Sequence, residues 1–202
     1  GSPPSRAFTL TPPPRNTQSN GLKDHAVEVL CQGLETNTTL TWLNLNKNNV
    51  ERRGAEAIAR LLDRNLTLKA LGLSWNSISN TGAEAIGHSL RTNDALATLD
   101  LSYNSLGNRV RPIAINALAT AMKTNTKLTH LDISYNRISQ AECRKLSAAL
   151  RGNQTLLGLH LEGNEASIDA RGFVRARVEP LGGAHTPAQH AAILDYPENT
   201  KR

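Results

Sequence analysis

The hexapeptide LDLSYN at 99–104 returns almost letter for letter as LDISYN at 131–136. Its skeleton stands elsewhere in looser form. Leu40, Leu43, Leu45 and Asn48 carry it first, followed by Leu68, Leu71, Leu73 and Asn76, and by Leu96, Leu99, Leu101 and Asn104. Leu128, Leu131, Ile133 and Asn136 come next, then Leu156, Leu159, Leu161 and Asn164. The spacing L-x-x-L-x-L-x-x-N repeats every 28 residues, apart from one step of 32 between the two quoted hexads. Asn20-Gly21-Leu22 fits the tail of an earlier, incomplete unit.

Within each unit, x-L-x-L-x alternates with the period of a short strand, so the leucines face one way and the residues between them the other. A helical pattern follows the Asn. In GAEAIARLLDRN at 54–65, Ala55, Ile58, Leu61 and Leu62 form one apolar stripe. A second Asn column, Asn37, Asn65, Asn93, Asn125 and Asn153, ends these helical patterns. Because Asn tolerates the left-handed conformation, the column is expected to supply left-handed C-caps. The first column, Asn20 through Asn164, sits where the chain turns inward, and its amides can satisfy backbone groups that the turn buries.

Strands joined by helical crossovers lie parallel, with the helices on one side. Strands stack at ~4.8 Å and helices at ~8–10 Å, so the stack bends with its strands inside. The expected fold is an α/β solenoid, a horseshoe arc with a parallel concave sheet and convex helices. No unit buries its apolar face alone, so both ends of the array need covering.

The repeat length, the full helix in each unit and the turns LSWN (73–76) and LSYN (101–104) resemble the ribonuclease-inhibitor type of leucine-rich repeat over about residues 20–168. That class includes ribonuclease inhibitors, NOD-like receptors, tropomodulins and Ran GTPase-activating proteins, so the resemblance implies an architecture more than an activity. Three segments are expected: a Pro-rich lead over 1–19, five to six repeats over 20–168, and an atypical C-terminal cap and tail over 169–202. Gly1-Ser2 reads as a cloning remnant on an excised piece. Leu181 stands where a further capping Asn is due, and Thr186-Pro187 reads as the start of a short helix to about Leu194.

The four extra residues fall in GNRVRPI, 107–113. Either the turn is simply longer there, with Pro112 in the first turn of the next helix, or it forms a binding loop carrying Arg109 and Arg111 at the edge of the concave face. Cys31 and Cys143 fall in inward positions four repeats apart. That is at least ~20 Å, too far for a mutual disulfide, and it suggests a reducing compartment and a cytoplasmic location. The sequons at Asn37, Asn65 and Asn153 coincide with the capping column and need no glycan to explain them. No apolar run approaches the roughly 18 residues of a membrane span.

The outward strand positions form columns across the repeats. Trp42, Ala70, Thr98, His130 and Gly158 make one, and Asn44, Gly72, Asp100, Asp132 and His160 the next. Asn46, Ser74, Ser102, Ser134 and Glu162 follow, then Lys47, Trp75, Tyr103, Tyr135 and Gly163 just before the turn Asn. Trp75, Tyr103 and Tyr135 should be lateral neighbours, either as a protein-binding hot spot or as rings that stiffen the array, and one ring can do both. Asp100 faces Asp132, with His130, His160 and Glu162 nearby, which reads as an acidic, pH-responsive contact patch more readily than as a metal or acid/base site, since no nucleophile accompanies it.

The chain has 23 Lys and Arg against 17 Asp and Glu, a net charge of +6. Those cations fall mostly on helices, turns and tails, away from the aromatics, which argues against a nucleic-acid reader. The sequence thus points to a non-catalytic module binding a protein or peptide through Trp42, Trp75, Asp100, Tyr103, His130, Asp132, Tyr135, His160 and Glu162, with no cofactor implied. Two alternatives rest on the resemblance: a small-GTPase regulator similar to Ran GTPase-activating proteins, using Arg109 or Arg111, and an actin-associated scaffold similar to tropomodulin. Oligomeric state is left open.

Overall fold

The computed structural model describes residues 15–16, 19–168 and 174–176, with side chains for 19–166. Short strands and longer helices alternate along it: β1 Arg15–Asn16, α1 Asp24–Leu34, β2 Trp42–Asn44, α2 Arg52–Arg64, β3 Ala70–Gly72 and α3 Ser79–Leu90. They continue as β4 Thr98–Asp100, α4 Ile113–Thr124, β5 His130–Asp132, α5 Gln140–Leu150 and β6 Gly158–His160. The chain then forms β7 Ala166–Ile168 and β8 Val174–Ala176. Strands β1 to β6 lie in chain order in one parallel sheet. The architecture is the expected α/β solenoid, and Arg15–Asn16, within the Pro-rich lead, contribute its first strand.

The register follows the repeat. Trp42 pairs with Ala70, Ala70 with Thr98, Thr98 with His130 and His130 with Gly158, and each neighbouring Leu pairs with the next. Leu43, Leu71, Leu99 and Leu131 are buried, as are Ala55, Ile58, Leu61 and Leu62 of the α2 stripe. Full burial of one such leucine contributes roughly 2 kcal/mol, so the regular leucine column is the main force stacking unit on unit. The helices of successive units pack side by side. Gly87 lets α3 and α4 come close, since a Cβ there would stand 2.8 Å from Ala117 Cβ.

The turn asparagines stitch units together. Asn104 Nδ2 donates to Leu73 O of the previous unit (2.8 Å) and to Leu101 O and Ser102 O of its own (3.2 and 2.9 Å), while its Oδ1 accepts from Ile78 N (3.3 Å). Asn48, Asn76, Asn136 and Asn164 make related bonds. Asn48 Oδ1 also accepts from Asn20 N and Leu22 N, which fixes the incomplete first unit.

The second Asn column works differently from the expectation. Asn65 and Asn125 sit at extended φ/ψ, −84°/121° and −72°/130°, not in the left-handed region. Their side chains do the capping instead. Asn65 Oδ1 accepts from Thr67 N and Leu68 N (3.0 and 2.8 Å), and its Nδ2 donates back to Leu34 O and Asn37 O of the previous unit (3.0 and 3.1 Å). A backbone already turned by these amide bonds has no need of a positive φ. Helices α1, α3 and α5 end two residues earlier, with Glu35, Arg91 and Arg151 as caps. Pro112 is likewise the N-cap of α4 rather than a first-turn residue.

The inserted turn is braced across several units. Asn108 N donates to the buried Glu142 carboxylate (2.9 Å), itself half of the Ser139–Glu142 capping box of α5. Asn80 Nδ2 donates to Arg111 O (2.8 Å), Asn80 Oδ1 accepts from Ala114 N (3.0 Å), and Arg109 pairs with Glu165. Beyond β6, β7 and β8 pair antiparallel and pack against α5. The expected 186–194 helix lies outside the described residues.

Candidate functional site: the strand face

The outward side chains of β2 to β6 and of the turns after them share one face. Its least ordinary feature is backbone conformation. Ser19, Lys47, Trp75, Tyr103, Tyr135 and Gly163, one column across six units, all have positive φ, between 54° and 70°. A left-handed Trp or Tyr costs roughly 1–2 kcal/mol and is uncommon. Three consecutive units accept that cost, held there by the sheet: Trp75 N donates to Ser102 O (3.1 Å), Tyr103 N to Ser134 O (3.0 Å) and Tyr135 N to Glu162 O (2.6 Å).

The shared conformation aims the three rings the same way at strand spacing. Trp75 and Tyr103 stack with centroids 4.0 Å apart and 14° between planes, and Tyr103 and Tyr135 with 4.4 Å and 6°. Gly163 closes the ladder at one end, because a Cβ there would lie 2.2 Å from Tyr135 Cδ1. Tyr135 Oη donates to Glu162 Oε1 (3.1 Å). Burial, followed by that bond to Glu162, pushes the Tyr135 phenol up to about 12, so it is a neutral donor at physiological pH. Trp75 at the other end keeps 52% of its surface exposed.

Beside the ladder, Asp100 pairs in register with Asp132, and Asp132 with His160. Asp100 Oδ1 accepts from Ser102 N (2.9 Å) and Ser102 Oγ (2.7 Å), and Asp132 Oδ1 accepts from Ser134 N (2.9 Å). Asn44 does the same for Asn46 N (3.0 Å), so this column owes its acceptor geometry to the turn rather than to charge. Burial raises the Asp100 carboxyl above its ordinary range and the Asp132 charge adds to this, while the Ser102 bonds work the other way. His130 Nδ1 lies 3.0 Å from Thr129 Oγ1 and its ring rests over Gly158. Among the described residues no three His, Cys, Asp or Glu side chains converge as metal ligands.

The structure therefore gathers Trp75, Tyr103, Tyr135 and Glu162 into one cluster and sets Asp100, Asp132 and His160 alongside. Trp42, 38% exposed, stands on β2 at the start of its strand, in a different column from the ladder. Arg109 and Arg111 lie in the braced turn, and Arg109 is engaged by Glu165 rather than by the ladder. Sequence columns missed the left-handed conformation and the Tyr135–Glu162 bond. Gly163 at the end of the aromatic column was the available signal for the first, since glycine favours a positive φ.

A leucine-rich-repeat family profile matches residues 36–59, 64–87 and 124–140, each spanning part of a unit in the array just described. No curated protein matches the chain. Among solved structures, "Leiomodin-1 Actin-Binding Site 2 (ABS2)" is similar at 23% identity and a TM-score of 0.58, covering 68% of this chain and 78% of that one. The likeness is one of fold: the chain is a leucine-rich-repeat solenoid.

Proposed function

We propose that this chain is a non-catalytic interaction module that binds a protein or peptide across its strand face. The observation that carries the reading is the ladder Trp75–Tyr103–Tyr135, three large rings in a strained backbone conformation, stacked on the strand face with Trp75 exposed and Tyr103 and Tyr135 half-buried. Backbone strain concentrates at binding sites, and Trp and Tyr dominate binding hot spots because they offer much contact area for little lost freedom. The rings stiffen the array and present a surface at once. We read the repeats as the ribonuclease-inhibitor type from their 28-residue period and full helices. We place the protein in the cytoplasm on its two buried, unpaired thiols, Cys31 and Cys143, which burial pushes up to about 12 and about 11.

The test is binding to a partner captured from native lysate, using Trp75→Ala and Tyr103→Ala proteins that keep their circular dichroism. Affinity falls at least tenfold in each if the strand face is the interface, as hot-spot truncations costing more than about 1.4 kcal/mol do. Unchanged affinity in both would remove the reading. The leiomodin likeness favours a second reading, actin as the partner, which co-sedimentation with filaments decides directly. A GTPase-regulator role would use Arg111, or Arg109 once it leaves Glu165. Unaltered GTP hydrolysis by candidate small GTPases, with and without the chain, would end that one.

A further inference from the structure

The aromatic ladder is closed at one end and open at the other. At Tyr135 the backbone of Gly163 lies directly under the ring. Trp75 has one face on Tyr103 and keeps 52% of its surface exposed, so it is the open end of the stack. The next position in the column belongs to Lys47, which has the same left-handed φ (55°) and the same hydrogen bond onward, Lys47 N to Ser74 O (2.8 Å). The backbone for a fourth rung is thus in place, and the chain puts an exposed, flexible side chain there instead of a ring.

We propose, resting on the strand-face reading above, that a partner supplies this fourth rung: an extended segment that stacks an aromatic side chain on Trp75 at the open end and sets a Lys or Arg over Asp132. A cation on Trp75 itself is disfavoured because Lys47 stands one strand away, roughly 5 Å, where like charges repel. An uncharged ring is not repelled, and the Lys47 ammonium can cover its outer face as a cation–π lid. The carboxylates lie towards the other end of the face, at Asp100, Asp132 and Glu162, in a protein whose net charge is +6. That half is therefore the part of the face that a basic side chain complements.

Spacing follows from the sheet. From the Lys47 level to the Asp132 level is three strand intervals, about 14 Å, which an extended segment crosses in about four residues, while the three-residue offset of Asp132 from the ladder column along its strand is spanned by the long Lys or Arg side chain. An even interval also puts both side chains on the same side of the segment. The recognised element is an aromatic residue followed or preceded, four positions away, by Lys or Arg.

The probe is the peptide acetyl-Phe-Gly-Ser-Gly-Arg-amide, read by the Trp75 indole N–H resonance, assigned with Trp42→Phe. The expected result is a saturable Trp75 shift, weakened about threefold or more when Phe is replaced by Ala or Arg by Gln. In Asp132→Asn, which keeps the acceptor for Ser134 N as Asn44 does for Asn46 N, the Arg and Gln peptides bind alike. In Lys47→Tyr the chain supplies its own rung, melting temperature holds or rises, and the Trp75 shift disappears. An unmoved Trp75 resonance, binding to Lys47→Tyr at native strength, an Arg preference that survives Asp132→Asn, or an equal shift from a proline peptide of the same length overturns the proposal. If Trp75→Ala and Tyr103→Ala abolish partner binding while Lys47→Tyr does not, the strand-face reading stands and the fourth-rung proposal alone falls.

Discussion

Asn136 is fully enclosed, and its amide serves four backbone groups in two units: Nδ2 donates to Leu101 O and Ser134 O (2.9 and 3.1 Å), and Oδ1 accepts from Asn104 N and Leu106 N (2.8 and 3.3 Å). Replacing it with Ala strands buried donors and acceptors that no water reaches, so Asn136→Ala is expected to lose about 3 kcal/mol or more in chemical denaturation. A loss under about 1 kcal/mol would mean that the ladder of amides is ornamental. Asp100 makes the contrasting case. Its folded-state pKa is raised, so the native protein holds that proton more tightly than the unfolded chain, and ionised Asp100 weighs against folding at neutral pH. That penalty disappears as the pH falls below the ordinary carboxylate value of 3.8. Asp100→Asn keeps the acceptor for Ser102 N, as Asn44 does for Asn46 N, and loses the charge. Urea midpoints should place the variant above the parent at pH 7, with the gap closing near pH 3. A variant less stable than the parent at pH 7 would show that the Ser102 bonds need the charged form.

At the scale of elements, the strands and helices were legible because two periodicities alternate: Leu43 and Leu45 inward at period two, then Ala55, Ile58 and Leu62 at helical spacing. The conformation of single turn residues was not. Asn65 has the side chain of a left-handed cap, yet besides its local bonds from Thr67 N and Leu68 N it donates to Leu34 O and Asn37 O of the preceding unit, and a contact 28–31 residues away does not show in a local propensity. Nor does any propensity favour a left-handed Trp75 or Tyr103. The sheet's continuing hydrogen bonds impose it. Gly163 is where the ladder depends on a missing side chain. Gly163→Ala should displace the Tyr135 ring, which would sit 2.2 Å from the new Cβ, and lower the near-ultraviolet dichroism of the stack while far-ultraviolet dichroism stays constant. An unchanged near-ultraviolet spectrum would show that Tyr135 does not rest on that backbone.

For the whole molecule, stacking makes the fold a sum of neighbouring-unit contacts, so the array is close to one-dimensional and its inner face is continuous. The register of β2 to β6 brought the columns inferred from sequence side by side, which is why Trp75, Tyr103 and Tyr135 could be grouped in advance. The Arg109–Arg111 turn could not be placed as well, because the brace from Asn80, Asn108 and Glu142 depends on loop geometry rather than on period. The helices carry Lys and Arg and Asp and Glu in near-equal number, while the carboxylates of Asp100, Asp132 and Glu162 stand on the inner face. Hydroxyl-radical footprinting of the chain, alone and bound to its captured partner, tests the strand face as the interface most directly. Trp75, Tyr103 and Tyr135 should lose reactivity on binding while Leu66 and Val29, exposed outside the strands, keep theirs. Protection of Leu66 and Val29 with the three rings left reactive would contradict the account.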